Sequence, residues 1–262
     1  MNADNYNRIY SVNDDFFDEM KELQYWLIGL LASDGFVEKT NQIGISQSGD
    51  DGYKLLCYVK DLLNSNNPIS TMKTYRKPSH RIVFSSNKLR KSLEEFNIVP
   101  NKTKIFSMPN IPDKYFSAFI CGYVEGDGSI TISKNKNGCS YLSASFVGNK
   151  DFIIKCKERI PINGNIRKHS LSNIYEIRWY GKNAIKFCDW LYQYPLYQSY
   201  KYQNYYHAKQ VSNNSKRVMF KRIKEQVYQD YIAGKISDVS EYAKAINIDP
   251  KNIYRWRSEW SK

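Results

Sequence analysis

The chain lacks most of the features that would place it in a membrane, outside the cell, or around a soft-ligand metal. No uninterrupted apolar run reaches the roughly 18 residues of a membrane span. The first twenty residues are polar and acidic, without the apolar core of a secretory signal. The expectation is an intracellular, cytoplasmic protein with no targeting signal and no membrane partner. Histidine is scarce: His80, His169 and His207 stand far apart, with no ligand spacing. The five cysteines, Cys57, Cys121, Cys139, Cys156 and Cys188, are odd in number and form no C-x-x-C pair, which predicts reduced thiols with neither zinc nor disulfides.

Acidic charge is also in the minority. Lysine and arginine total 39 against 26 acidic residues, a formal net charge of +13, and 22 tyrosines lie among them. That balance suits an anionic partner such as nucleic acid. A merely basic protein from an AT-rich genome, heavy in Asn, Ile, Lys and Tyr, would have the same composition. The charge is unevenly placed: residues 1–20 carry a net −4 and residues 216–262 a net +5, leaving +12 in between. A binding surface is expected in the middle and the tail.

The most informative feature is an internal repeat. Residues 25–35 read YWLIGLLASDG and residues 119–128 read FICGYVEGDG, each an apolar helical stretch ending in Asp-Gly. The flanks match. After the first motif come a strand near 42–47, a helix at 53–63, strands at 69–76 and 81–86, and a helix at 88–96. After the second come strands at 129–133 and 141–146, a helix at 150–159, strands at 165–169 and 173–180, and a helix at 183–192. Each half reads helix, two strands, helix, two strands, helix. The predicted organisation is an N-terminal arm (1–20), a first repeat (21–105), a linker (106–114) around Met108-Pro-Asn-Ile-Pro112, a second repeat (115–209) and a helical extension (216–262). Two such halves packed about a pseudo-two-fold axis would suit duplex DNA, whose backbone has local two-fold symmetry.

Asp34 and Asp127 end the two motif helices, where the helix dipole disfavours a carboxylate. Taken singly, each is an ordinary Asp-Gly helix stop. Gly29 and Ser33 share one helix face, as do Gly122 and Gly126, and small residues there let two helices approach closely. Packed together, these helices bring the two carboxylates side by side, where they repel unless a cation lies between them. Mg²⁺, or another divalent cation with oxygen ligands, is the natural candidate, and such ions support phosphodiester cleavage.

The motifs resemble those of the LAGLIDADG homing endonucleases in their single-chain, two-repeat form. Leu27–Gly35 (LIGLLASDG) and Ile120–Gly128 (ICGYVEGDG) lie on the nine-letter signature, and the resemblance covers roughly residues 20–209. NIVPNKTK at 97–104 resembles a phrase that closes the first repeat in bacterial and phage members, which suggests such a context. The resemblance implies an α+β fold of two pseudo-symmetric αββαββα repeats with saddle-shaped antiparallel sheets, a monomer that cuts both strands of double-stranded DNA. It implies that Asp34 and Asp127 hold the metal, with the carbonyls of Ser33 and Gly126. The sixth signature letter, usually acidic, is Glu125 in one motif but Ala32 in the other. Lys102 and Lys201 match the basic residue that polarises each centre, and Asp50 and Asn149 align with a water-positioning residue.

In the strands at 129–133 and 141–146, Ile130, Ile132, Leu142, Ala144 and Phe146 alternate with polar residues, as in a sheet packed on one face and open on the other. A β-ribbon of this kind fits the major groove. Candidate base or phosphate contacts are Lys39, Asn41, Gln42, Gln47, Arg76, Lys77 and Arg81 in the first half. In the second half they are Lys134, Lys136, Arg167, Lys168 and Arg178. Each taken singly reads equally well as a solvent-facing strand residue.

Beyond the repeats, helices are expected at 218–232, stopped by Gly234, at 237–246, capped near Ser237, and at 251–260, opened by Pro250. The spacing resembles a helix-turn-helix, with Lys251, Asn252, Tyr254, Arg255 and Arg257 facing DNA and Ile248, Ile253 and Trp256 facing inward. A small helical cap is the plainer alternative. For the whole chain, a non-catalytic DNA-binding regulator built from the same parts competes with the endonuclease, and intron RNA is a further conceivable partner, as for a maturase. Retention of both aspartates favours the endonuclease.

Overall fold

The two motif helices are apolar all round, a pattern that requires burial on every side. In the computed structural model, which describes residues 9–102, 106–135, 140–169, 173–213 and 216–260, they form the centre of the first of two units, Met1–Ala208. The second unit is Lys209–Lys262. The first helix, α1 (Glu22–Ser33), buries every residue from Tyr25 to Ala32. Its counterpart α4 (Asp113–Asp127) buries every residue from Phe116 to Glu125.

Around this pair the order in the first repeat is β1 (Gly35–Val37), β2 (Gln42–Ser48), α2 (Gly49–Leu62), β3 (Ser70–Met72), β4 (Ser79–Ser85) and α3 (Asn87–Glu94). In the second it is β5 (Gly128–Lys134), β6 (Ser140–Gly148), α5 (Lys150–Arg159), β7 (Asn165–Lys168), β8 (Tyr175–Tyr180) and α6 (Gly181–Leu191). Each repeat forms one four-stranded antiparallel sheet, ordered β1-β2-β4-β3 and β5-β6-β8-β7. The fold is therefore α+β with two αββαββα repeats, as the sequence predicts. Gly35 pairs with Ile45 and Gly128 with Phe146, which makes Gln47 the structural counterpart of Gly148 and Ser48 that of Asn149.

Alternation sends one face of each sheet into a shared core. Ile43, Ile45, Ile82 and Phe84 do this in the first sheet, and Leu142, Ala144, Phe146, Ile177 and Trp179 in the second. Ile132 departs from the expected inward set: it lies near the end of β5 and is 39% exposed. The strand expected at 69–76 stops at Met72, because Thr74 Oγ1 donates to Lys77 O (2.6 Å) and turns the chain ahead of Pro78. β1, three residues long, is too short for alternation to reveal. The described part of the N-terminal segment is not a free arm. Val12, Phe16 and Phe17 join the core, and Lys88 pairs with Asp15 (2.6 Å) and Asp18 (2.5 Å).

In the same unit α7 begins at Tyr200 (Tyr200–Asn213). The second unit contains α8 (Lys216–Ile232), α9 (Val239–Ala245) and α10 (Pro250–Trp260). Among the described residues no helix is long and apolar enough to cross a membrane, and the described cysteines are free thiols. Cys139 lies outside the described residues.

Candidate active site

α1 and α4 touch through their backbones. A Cβ on Gly29 would overlap the carbonyl oxygen of Phe119, and one on Gly122 would overlap that of Trp26. Only glycine admits so close an approach. The contact continues to the helix ends, where a Cβ on Gly126 would fall 2.8 Å from Cγ of Asp34 and closer still to the Ser33 side chain. Asp34 is the C-cap of α1 and Asp127 the last residue of α4. The two carboxylates thus meet at one end of the helix pair, as the spacing of small residues predicts.

Both helix ends are held by a buried lysine. Lys102 Nζ donates to the carbonyls of Ala32 (2.7 Å) and Ser33 (2.9 Å). Lys201 Nζ donates to those of Val124 (2.7 Å) and Glu125 (2.6 Å). Each ammonium bonds carbonyls at the end of its helix, Val124 O accepting from Gly128 N–H as well, and sits at the helix's negative pole. Only 7% of Lys102 and 3% of Lys201 is exposed, so neither is a solvated surface charge. The registers differ by one residue. In the first repeat the lysine bonds Ser33 O, one of the two carbonyls expected to face metal, whereas Lys201 bonds the carbonyls just before Gly126.

Burial raises both aspartates above the ordinary carboxylate range, and the charge of Asp34 raises Asp127 further. Burial lowers both lysines, against the pull of the nearby carboxylates. The acids have different neighbours. Gln47 Nε2 donates to Asp34 Oδ2 (2.6 Å). The hydroxyl of Tyr123 lies between Val147 O (3.0 Å) and the Asp127 carboxylate. Glu125, 6% exposed, accepts from Ser199 Oγ (3.0 Å), and burial pushes its pKa up to about 7.

Two clefts open beside the acids. One, of about 470 Å³, is lined by Ser33, Lys102, Tyr123, Asp127 and Asn149. The other, of about 490 Å³, is lined by Gln47, Asp50, Lys77, Gly126 and Lys201. Each draws groups from both repeats, so neither half alone makes a complete cleft. Asp50 and Asn149, aligned from the sequence, are not equivalent. Asn149 is the N-cap of α5, accepting from Phe152 N–H (3.0 Å) while its amide donates to Phe106 O (2.6 Å). Asp50 lies exposed as the second residue of its helix, α2, and the counterpart of Asn149 is the N-cap Ser48.

The candidate DNA contacts also sort by geometry. Gln47 does not belong to the open face: it shares strand parity with Ile43 and Ile45 and points toward the helices and Asp34. Asn41 takes φ +62° and its side chain accepts from Arg90 Nε (2.8 Å), a turn-stabilising role. Gln42 is half-buried at the start of β2, and Lys39, Arg76 and Lys77 are exposed in connections. Arg81 lies over the ring of Phe36 (4.2 Å) and 3.4 Å from Glu38. Lys134 and Lys168 are exposed at strand ends, and Lys136 lies outside the described residues. Arg178 (2.5 Å) and Arg167 (3.8 Å) flank the buried carboxylate of Glu176.

Tyr123, Ser199 and Glu176 are not singled out by the sequence, and Gln47, grouped there with the DNA contacts, turns to Asp34. Tyr123 stands four residues before Asp127, on the same helix face, and Ser199 two before Lys201. Gln47 is a polar residue at an inward strand position. Each was legible as spacing, but not as contact.

The sequence matches no protein-family model and no curated protein. Its structure is similar to that of the LAGLIDADG meganuclease I-AabMI bound to uncleaved DNA, with TM-score 0.52 and 15% identity over 78% of this chain and 93% of that one. It is similar to the meganuclease I-SmaMI bound to uncleaveable DNA, with TM-score 0.52 and 13% identity over 81% and 92%. It is also similar to the LAGLIDADG homing endonuclease I-GzeII in complex with its DNA target, with TM-score 0.50 and 13% identity over 79% and 97%. With identities this low, the likeness is one of fold: the first unit of this chain has the fold of the LAGLIDADG endonucleases.

Proposed function

We propose that the first unit is a site-specific double-strand DNA endonuclease that hydrolyses one phosphodiester bond in each strand, acting as a monomer because one chain carries both halves. The observation that carries this reading is the pair of half-buried aspartates at the joined ends of α1 and α4, each beside a cleft floored by a buried lysine. The open sheet faces, with Arg81, Arg167 and Arg178, supply a surface for the duplex. The similar structures are described as endonucleases bound to DNA, which agrees with that partner.

The residues fit a hard divalent cation, with Mg²⁺ the candidate. Among the described residues no three His, Cys, Asp or Glu side chains cluster as a metal site. The protein would therefore contribute Asp34, Asp127 and main-chain carbonyls of Ser33 and Gly126, with the remaining positions left to water and phosphate oxygens. The raised pKa of each acid reflects buried carboxylates that a cation would neutralise. Such an ion, when bound, activates water and stabilises the leaving oxygen. The chain's own groups hold the geometry. Lys102 and Lys201 fix the helix ends and place positive charge near the phosphate, Gln47 orients Asp34, and Tyr123 orients Asp127. Asp50 lines one cleft and Asn149 the other.

The test is cleavage of a randomised duplex library with Mg²⁺ or with chelator. Wild type should cut a defined site only with the ion, and Asp127→Asn should bind the same site without cutting. Tight specific binding by wild type without cleavage under any divalent ion would instead support the non-catalytic regulator, and full cleavage by Asp127→Asn would overturn the assigned centre.

A further inference from the structure

The proposed cleavage chemistry calls on no residue of the second unit, which has a core of its own. Val227, Val239, Ala243, Ile253 and Trp256 are buried, with Ile223, Ile246 and Ile248 packed on them. Between α9 and α10 the chain makes a short turn. Asn247 takes φ +53°, Asn247 N–H donates to Lys244 O (3.2 Å) and Ile248 N–H to Ala243 O (2.9 Å), which ends α9. The carboxylate of Asp249 then accepts from Lys251 N–H (2.9 Å) and starts α10. Asp238, rather than the expected Ser237, caps α9, accepting from the amides of Ser240 (2.6 Å) and Glu241 (2.9 Å). A short capped helix, a tight turn and a second helix seated on a third is the helix-turn-helix arrangement.

With Ile253 and Trp256 buried, α10 presents Lys251, Tyr254 and Arg255 outward, with Asn252 half-buried at their edge. Arg255 Nη2 donates to Asn252 Oδ1 (3.2 Å), so the two polar heads sit together. Arg257, grouped with them from the sequence, lies instead over the ring of Tyr231 (4.9 Å) and is withdrawn from this face. The unit carries twelve Lys and Arg against six acidic residues. Of the acids, Asp238 and Asp249 are engaged in caps, Asp230 accepts from Tyr242 Oη (2.5 Å), Glu225 lies 3.6 Å from Lys221, and Glu259 pairs with Lys224 and lies 3.9 Å from Arg255 Nε. Lys and Arg thus outnumber the acids two to one in the unit, and Lys251 and Arg255 are the exposed charged groups in the first half of α10.

We propose that α10 is a second DNA-reading element, which enters a major groove with Asn252 and Arg255 at base edges and Lys251 at a phosphate. Amide and guanidinium groups match the hydrogen-bonding edges of adenine and guanine. Duplex DNA is favoured over RNA because the A-form major groove is too deep and narrow for a helix. The inference rests on the reading of the first unit only in that both elements share one duplex. Joined to the nuclease in one chain, α10 adds a separate recognised segment at high effective concentration.

The experiment uses the full chain in chelator, with selection from randomised duplexes followed by nuclease protection. Wild type should select a central motif and a separate flanking motif. The Asn252→Ala/Arg255→Ala double variant should lose the flanking motif, shorten protection at one end and bind about 10- to 100-fold more weakly. It should keep the central motif, and with Mg²⁺ restored it should still cut at saturating protein. Lys251→Gln should retain the flanking motif and lower the salt slope of binding by about one. A double variant with the wild-type footprint and motif, or preferential binding of α10 to RNA, would overturn the proposal. A flanking footprint without a central one or cleavage would uphold α10 and overturn the nuclease reading.

Discussion

The two repeats place equivalent aspartates at equivalent helix ends and surround them differently. Asp34 has an amide donor, Gln47, where the second repeat has Gly148. Asp127 has a phenol, Tyr123, where the paired register of Gly29 and Gly122 places Leu30. Glu125 and Ser199 form a buried pair that the first repeat cannot make, having Ala32 and Pro100 at the corresponding positions. What the halves share is what joins the helices and holds their ends: the glycines and the two lysines. What differs is the immediate setting of each acid. The difference suggests that symmetry is needed to build the centre, whereas the setting of each acid can be tuned separately.

The largest expected effect breaks the shared part. Asp34→Asn and Asp127→Asn should each lower double-strand cleavage by on the order of 10³-fold with DNA affinity unchanged, measured by cleavage and gel-shift assays. Gly122→Ala drives a methyl into the backbone of Trp26 and should cost about 3 kcal/mol of stability, read by denaturant unfolding. A smaller effect separates the halves. Lys102→Met and Lys201→Met should each slow one strand by on the order of 10²-fold, with nicks accumulating on opposite strands in strand-labelled assays. Equal slowing of both strands by either variant would break the correspondence of one lysine to one cut.

Glu125 sharpens the comparison through pH. Its folded pKa, about 7, lies above the ordinary 4.5. The protonated form is therefore favoured by folding, and the stabilisation is complete below pH 4.5 and lost as pH rises through 7. The amplitude is about 3 kcal/mol. Glu125→Gln should remove that contribution, seen as a flatter dependence of unfolding free energy on pH between 4.5 and 7. The smallest effect is expected at the neighbours of the acids: Gln47→Ala and Tyr123→Phe should slow opposite strands by about tenfold each.

Periodicity and repetition made much of this legible. The αββαββα order, the glycine faces of α1 and α4, the pairing of Asp34 with Asp127 and the inward set of α10 follow from local pattern, because helix and strand periods decide which residues share a face. Loop-borne and polar assignments fared less well. Asn41 and Arg81 look like free polar groups in a string of letters, yet a turn and a ring engage them. Asp50 and Asn149 align by spacing but not by register, and Arg257 faces Tyr231.

The sequence by itself determined the two-fold repeat, the small residues that permit backbone contact, and the acids that end both helices. Only the tertiary structure decided that Lys102 and Lys201 are buried on helix-end carbonyls, that Gln47 turns inward to Asp34, and that each cleft combines groups from both halves. The physical reason is that burial and hydrogen-bond partnership depend on residues far apart in the chain. Lys102 lies about seventy positions from the carbonyls it bonds, a separation that no local period can encode.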